Sequence, residues 1–484
     1  MAITRGTIVR SFFWKLFERV SAQLVQFIVT IVLARLLLPS EYGIIALISI
    51  FIALCDVIID GGLNTALIQK KDVGDIDYST IFYVSIGMSG LLYVLMYALA
   101  PLISFFYEQP ALIPVIRVLS LSLPFYAINS IQRAFVSKMM LFQKLFYSSL
   151  GAIVLSGGIG IYLAYYGYGV WALVAQTISN QVFLVVIMWF TVRWRPIIAF
   201  SFSCFKELFS FGWKIFCTNF IITLFVRIRI LIIGKFFSPS TLAYFEKGEQ
   251  FPGLIMNNVC GSIQTVIFPA FSEAQDDSAK VRAMMRRAIN LSCLFMFPMM
   301  ICLMVAAKPL VIILLTEKWI DVVPYMQILC IANFFRPITI PNQQAITALG
   351  YSGITLKLEI IKKIVDVSIL IVSCYFGAIA IAWGVVLFNF ACIFINLAPN
   401  VRLLDYKIHD QIIDIFPTFL ISLFMGVSII WVPLMSWNPM LQLLVICIIS
   451  IVTFTLFCRI LRIEGFMYLY SLLKERFSNN KLYR

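Results

Sequence analysis

Ser11-Phe-Phe-Trp-Lys-Leu-Phe17 recurs as Ser210-Phe-Gly-Trp-Lys-Ile-Phe216, and Ala34-Arg-Leu-Leu-Leu-Pro-Ser40 recurs as Gly234-Lys-Phe-Phe-Ser-Pro-Ser240. A third echo pairs Ser130-Ile-Gln-Arg-Ala134 with Pro341-Asn-Gln-Gln-Ala345, so the matches keep one order at offsets of about 200 to 211. The sequence between the copies is overwhelmingly apolar: of 484 residues 62% are hydrophobic and 12% charged, with a mean hydropathy of +0.97. Soluble domains carry about 25% charged residues. A membrane-spanning helix needs roughly 20 apolar residues, so this composition excludes a soluble enzyme on a single anchor.

Apolar stretches bounded by charges and Gly/Pro punctuation predict fourteen helices, at 12–34, 43–60, 79–105, 112–135, 146–165, 169–191, 209–233, 251–271, 287–307, 323–347, 355–376, 378–400, 412–432 and 441–458. The runs are continuously apolar and do not alternate, which favours helices over a barrel. One repeat period spans six helices, an even number, so both copies enter the membrane with the same polarity and are related by an axis along the membrane normal. The expected fold is therefore all-α and polytopic, with about 14 transmembrane helices in two parallel six-helix bundles around a central cavity, plus two C-terminal helices. The corresponding domains are residues 1–200, 201–405, 406–460 and a basic tail, 461–484.

Most of the 37 Lys and Arg residues fall on one side of this topology, among them Lys70, Lys71, Lys138, Lys144, Arg193, Lys206, Lys280 and Arg282. The opposite side receives only Arg35, Lys235, Lys247, Lys308 and Lys318. The positive-inside rule then places both termini in the cytoplasm. The net charge of +14 is explained by orientation and contact with anionic lipid, and no nucleic-acid partner is expected. The N-terminus lacks the pattern of a removable signal peptide. The 11 cysteines lie almost all in apolar runs with no C-x-x-C pair, and His409 is the single histidine. No metal site, cofactor or His-centred triad is expected.

Leu33-Ala-Arg-Leu-Leu-Leu-Pro-Ser-Glu-Tyr-Gly43, Asp60-Gly-Gly-Leu-Asn-Thr-Ala-Leu-Ile-Gln-Lys-Lys-Asp72, Phe268-Pro-Ala-Phe-Ser272 with Asp276 and Asp277, and Glu317-Lys-Trp319 with Pro324 resemble the polysaccharide flippases of the colanic-acid exporter type. These are Wzx-like members of the multidrug/oligosaccharidyl-lipid/polysaccharide superfamily, and the resemblance runs from about residue 5 to 460. It implies translocation of an undecaprenyl-diphosphate-linked oligosaccharide from the cytoplasmic to the outer leaflet of a bacterial inner membrane, for surface polysaccharide such as O-antigen or capsule. The implied partners are that glycolipid, the surrounding lipids, and the polysaccharide polymerase with its chain-length machinery; no enzymatic step is implied. Two other readings stay open: a multidrug exporter of the same superfamily, and an integral membrane polysaccharide polymerase or ligase. The first wants deep acidic residues where this chain has basic ones; the second wants reactive groups on a substantial outer loop, where this chain has short connections.

Charges at bilayer depth are costly and usually face a cavity or a partner. Asn219, Thr223 and Arg227 follow one another on one helical face, with Arg229 further round. Arg336 precedes Pro337 and Pro341, which are expected to break that helix and free carbonyls where Asn342, Gln343 and Gln344 collect. Arg117 lies near the outer end of its span, and Arg19, Gln23, Gln26 and Thr30 form a polar stripe on the first. Together they describe a cationic lumen suited to a diphosphate, since arginine offers a bidentate fork to phosphate oxygens; an interhelical ion pair or snorkelling is the competing use of each arginine. Asp56 and Asp60, one turn apart, are candidates for ion coupling, or pair with Lys70, Lys71 or a base on the first span. Glu359, Lys362, Lys363 and Asp366 alternate in sign and read as self-neutralised structure. Arg35, Pro39, Lys235 and Pro239, at matching helix ends, are candidates for an outer gate, or are simply helix stops.

The orientation is directly testable. Cysteines placed in the 136–145 or 272–285 loops of a chain freed of native cysteine should be shielded from an impermeant thiol reagent in intact cells, and cysteines at 239–245 labelled. Labelling of all three contradicts the topology.

Overall fold

The computed structural model describes residues 5–467 and 471, and among these there is no β-strand. The helices are α1 (Arg5–Leu36), α2 (Pro39–Asp60), α3 (Leu63–Gln69), α4 (Asp75–Tyr107), α5 (Leu112–Leu119), α6 (Ser122–Lys138), α7 (Phe142–Tyr165), α8 (Val170–Thr191), α9 (Phe202–Phe236), α10 (Pro239–Glu273), α11 (Ser278–Leu315), α12 (Val322–Asn333), α13 (Arg336–Ala348), α14 (Ser352–Cys374), α15 (Ala378–Leu403), α16 (Ile408–Ile429) and α17 (Pro439–Ile460). Every expected span falls on one helix or on a broken pair. Among the described residues, eleven segments are long and apolar enough to cross a membrane. The first, tenth and eleventh expected spans fall short. In α1 the apolar part is Val20–Leu36, α12 is short, and α14 carries Lys357, Glu359, Lys362, Lys363 and Asp366. The count of fourteen crossings therefore remains a proposal. The basic tail lies, beyond Met467 and apart from Ser471, outside the described residues.

The breaks have local causes. Gly61 and Gly62 both adopt left-handed backbone (φ 53° and 68°), which ends α2 and restarts the chain as α3. α12 stops before Arg336, and Pro337 sits in the first turn of α13, where its missing N–H costs nothing. Pro341, expected to break the same helix, runs inside α13.

The chain forms two compact units, Met1–Ala243 and Tyr244–Arg484. In the first, α9 packs along α2, α3 and α4, so this packing boundary lies one helix beyond the repeat boundary near residue 200. The core under α3, α4 and α6 gathers Leu67, Tyr78, Phe82, Ile131 and Val136, closed by Trp194 from the loop after α8. The turn between α2 and α3 touches α9 through backbone: a Cβ on Gly62 would lie 2.2 Å from the carbonyl oxygen of Gly212. At the other end, a Cβ on Gly43 would lie 1.9 Å from the carbonyl oxygen of Pro239. Beside the first contact, Lys70 bridges Asp77 (3.2 Å) of α4 and Glu207 (2.8 Å) of α9. The hydrogen bond to Glu207, opposed by partial burial and assisted by Asp77, raises the Lys70 ammonium above its ordinary value, so this latch is charged at neutral pH. Beside the second, Lys235 donates to Glu108 (2.9 Å) and to the Phe106 carbonyl (2.7 Å).

In the second unit, α16 and α17 pack on α11 around Ile429, Ile446 and Ala306. Arg286 reaches Asp414 (2.7 Å), and Arg282 lies between Asp405 (3.7 Å) and Asp410 (3.8 Å), pinning the start of α16 to α11.

The backbone contact yields a graded expectation. Gly61→Ala meets only a left-handed φ and should lose about 1–2 kcal/mol; Gly62→Ala adds a steric clash worth about 1–3 kcal/mol more. Thermal inactivation of the purified variants, followed by loss of the monodisperse species, should therefore rank wild type, Gly61→Ala, Gly62→Ala. Equal midpoints for the two variants contradict the contact.

Candidate functional site

α9 carries the polar stripe of the first unit. At about 100° per residue, Asn219, Thr223 and Arg227 fall on the same side of the helix as Gly212 and Gly234, the two points where α9 meets α2 closely; a Cβ on Gly234 would lie 2.1 Å from the Leu47 side chain. The stripe thus occupies the middle of the α2–α9 seam. All three side chains are half-buried, as is Arg229, and both arginines have partners among their neighbours.

Asp56 and Asp60 do not join this stripe. They stand about half a turn round α2 from Leu47, toward α6, where Arg133 and Tyr126 share their electrostatic surroundings. Asn64 donates to Asp60. Lys70, expected as a partner for the pair, is instead committed to Asp77 and Glu207. Around the same helices, Asn129 donates to the side chain (2.8 Å) and carbonyl (3.1 Å) of Gln181 on α8.

Arg117 is seated on α4, its guanidinium 4.2 Å from the centre of the Tyr97 ring. On α1, Gln23 is half-buried and Gln26 exposed, and the Thr30 carbonyl accepts from Tyr42 (3.3 Å). Arg35 is exposed and Pro39 buried at the α1–α2 corner. The α9–α10 corner repeats this architecture with Lys235 and Pro239, and the Gly43–Pro239 approach puts the two corners against each other.

In the second unit Arg336 opens α13, half-buried, within electrostatic range of Cys260 on α10 and Cys392 on α15. No hydrogen bond or ion pair to its guanidinium occurs among the described residues. Two of the three amides expected beside it, Asn342 and Gln343, are spent on structure. Asn342 donates to Gln411 (3.0 Å), Asn400 donates to Asn342 (2.9 Å), and all three are buried. Gln343 donates to Glu359 (2.8 Å), which also takes Lys362 (2.5 Å), so the first two of the alternating charges of α14 pair as their spacing suggests.

Lys247 departs from the topology. Expected in an outer connection, it lies two turns inside α10, buried and 3.2 Å from Gln250. The surrounding run Glu246-Lys-Gly-Glu-Gln250 is polar enough to pass for a loop, and only the proline-initiated start of α10 at Pro239 shows otherwise.

Residues 32–324, more than half of the chain, match the family described as "Polysaccharide biosynthesis protein". The chain is 23% identical over 362 residues to the "Lipopolysaccharide biosynthesis protein WzxC" of Escherichia coli (strain K12), covering 74% of this chain and 73% of that protein. It is 26% identical over 300 residues to the "Teichuronic acid biosynthesis protein TuaB" of Bacillus subtilis (strain 168), covering 61% of each. Among solved structures, the fold is similar to the lipid II flippase MurJ in an inward closed conformation, with a TM-score of 0.74 at 15% identity, over 93% of this chain and 98% of that one. With its family match lying across α1 to α12, the chain belongs to the polysaccharide biosynthesis protein family.

Proposed function

We propose that this protein is a flippase that moves undecaprenyl-diphosphate-linked oligosaccharide units from the cytoplasmic to the outer leaflet of a bacterial inner membrane, with both termini cytoplasmic. The observation that carries the reading is the family match over residues 32–324 on a fold like that of a lipid II flippase. The chemistry agrees: arginines recur within the helices, Arg117, Arg227, Arg229 and Arg336 among them, which suits a diphosphate.

Arg227, with Asn219 and Thr223, and Arg336 hold the diphosphate; Arg229, Arg117, Gln23 and Gln26 extend the polar surface toward the sugars. Asp56 and Asp60, with Arg133 beside them, couple an ion to the cycle. The six-helix lobes at 1–200 and 201–405 alternate access across fourteen spans, and the corners at Arg35–Pro39 and Lys235–Pro239 act as the outer gate. The polymerase and chain-length machinery receive the product.

If the two arginines bind diphosphate, Arg227→Ala and Arg336→Ala should each nearly abolish surface glycan while inserting normally, and the Arg→Lys variants should keep part of it by retaining charge without the fork. Surface glycan at wild-type level in both alanine variants assigns the arginines to structure.

A further inference from the structure

The loop joining α8 to α9, residues 192–201, is not a slack connection. Trp194 is buried against Tyr78, Phe82 and Phe135, stacking on Phe135 with ring centres 6.1 Å apart. The Ile197 N–H donates to Ser79 Oγ (3.0 Å) and the Ser201 N–H to Thr80 Oγ1 (3.1 Å), fastening the loop to the start of α4. The Arg195 guanidinium donates to the carbonyls of Val192 (2.6 Å), Trp194 (2.7 Å) and Trp189. So fixed, the loop turns its remaining apolar side chains outward: Ile198 is fully exposed, and Ile197, Phe200 and Phe202 are exposed beside it.

An ordered loop and the first residue of the following helix do not hold four large apolar side chains in water without reason. These lie where two membrane spans end, and they run on without a gap into the aromatic ladder Phe202, Phe205 and Phe209, whose outer members are themselves exposed along the α9 span. That continuity points to lipid rather than to a protein partner. The cations among them, Arg193 and Lys206, are exposed, while the neighbouring carboxylate of Glu207 is taken by Lys70. Apolar side chains flanked by uncompensated cations match the boundary between acyl chains and anionic headgroups.

We propose that residues 192–206 are an interfacial anchor: Ile197, Ile198, Phe200 and Phe202 sink into the headgroup layer of a leaflet containing anionic phospholipid, and Arg193 and Lys206 bind the lipid phosphates. The anchor is bonded to α4 and continuous with α9, so the leaflet itself holds the beginning of the helix that carries the polar stripe. This does not depend on which molecule is transported.

The test uses the full chain with Ile198→Cys, labelled with bimane in nanodiscs of phosphatidylcholine and phosphatidylglycerol, with the parent chain labelled in parallel to subtract native cysteines. Asp276→Cys, in the exposed turn between α10 and α11, serves as the aqueous control. Brominated lipid should quench the 198 label while aqueous iodide quenches it far less than the 276 label. Omitting phosphatidylglycerol, or adding Arg193→Gln and Lys206→Gln, should lower the lipid quenching by about twofold or more. Iodide quenching equal to that at 276 overturns the anchor. Lipid quenching that ignores both the anionic lipid and the two charges overturns its recognition of anionic headgroups, and with it the proposal as stated.

Discussion

The seam between α2 and α9 is the contact on which the first unit depends. Backbones approach this closely only where a side chain is missing, and here Gly62, just past α2, meets Gly212 of α9 at one end, while Gly43 of α2 meets the carbonyl of Pro239, the first residue of α10, at the other. Each crossing is backed by an ion pair outside it, Lys70 with Glu207 and Lys235 with Glu108. Between them the chain places Asn219, Thr223 and Arg227, the part of the seam where polar groups need not be squeezed out. Tight apolar ends thus hold a polar middle, an arrangement suited to presenting a charged side chain at bilayer depth without exposing it to acyl chains.

The sequence carried much of this plainly. Apolar runs located each long helix, though not the short α3, because in a bilayer both hydropathy and backbone hydrogen bonding demand long uninterrupted helices. The repeat of Arg-Leu-Leu-Leu-Pro and Lys-Phe-Phe-Ser-Pro marked two matching corners, and the structure sets Gly43 of one against Pro239 of the other. What stayed hidden was pairing across helices. Asn342 and Gln343 read as cavity amides because their sequence neighbours are prolines, yet their partners Gln411, Asn400 and Glu359 lie far along the chain. Lys247 was missed for a related reason: a polar stretch on a buried helix looks like a loop until its packing is known.

The same distinction sorts the charges. Arg282 read equally well as a topogenic cation, and the structure adds that it and Arg286 pin α16 to α11 through Asp410 and Asp414. Lys362 is neutralised within its own helix. Arg336 differs from these in making no ion pair among the described residues. Asp56 and Asp60, directed away from α9 and toward Arg133, are separated from the polar stripe by the thickness of α2. Anion binding and ion coupling, if both operate in the first unit, therefore use opposite faces of one helix.

The central claim is transport of a lipid-linked saccharide, and its most direct measurement is leaflet exchange by the purified protein. Fluorescently tagged undecaprenyl-diphosphate saccharide, isolated from the same bacterium, is reconstituted with a Ser40→Cys, Ser240→Cys variant in liposomes, and an impermeant reductant is added outside. The account predicts bleaching of nearly all the label when the two cysteines are free, falling to about half, the share of one leaflet, when they are joined across the two corners by a bismaleimide, whose thioether bonds the reductant leaves intact. Bleaching that stops at one leaflet's share with the cysteines free, as in protein-free liposomes, contradicts the flippase assignment.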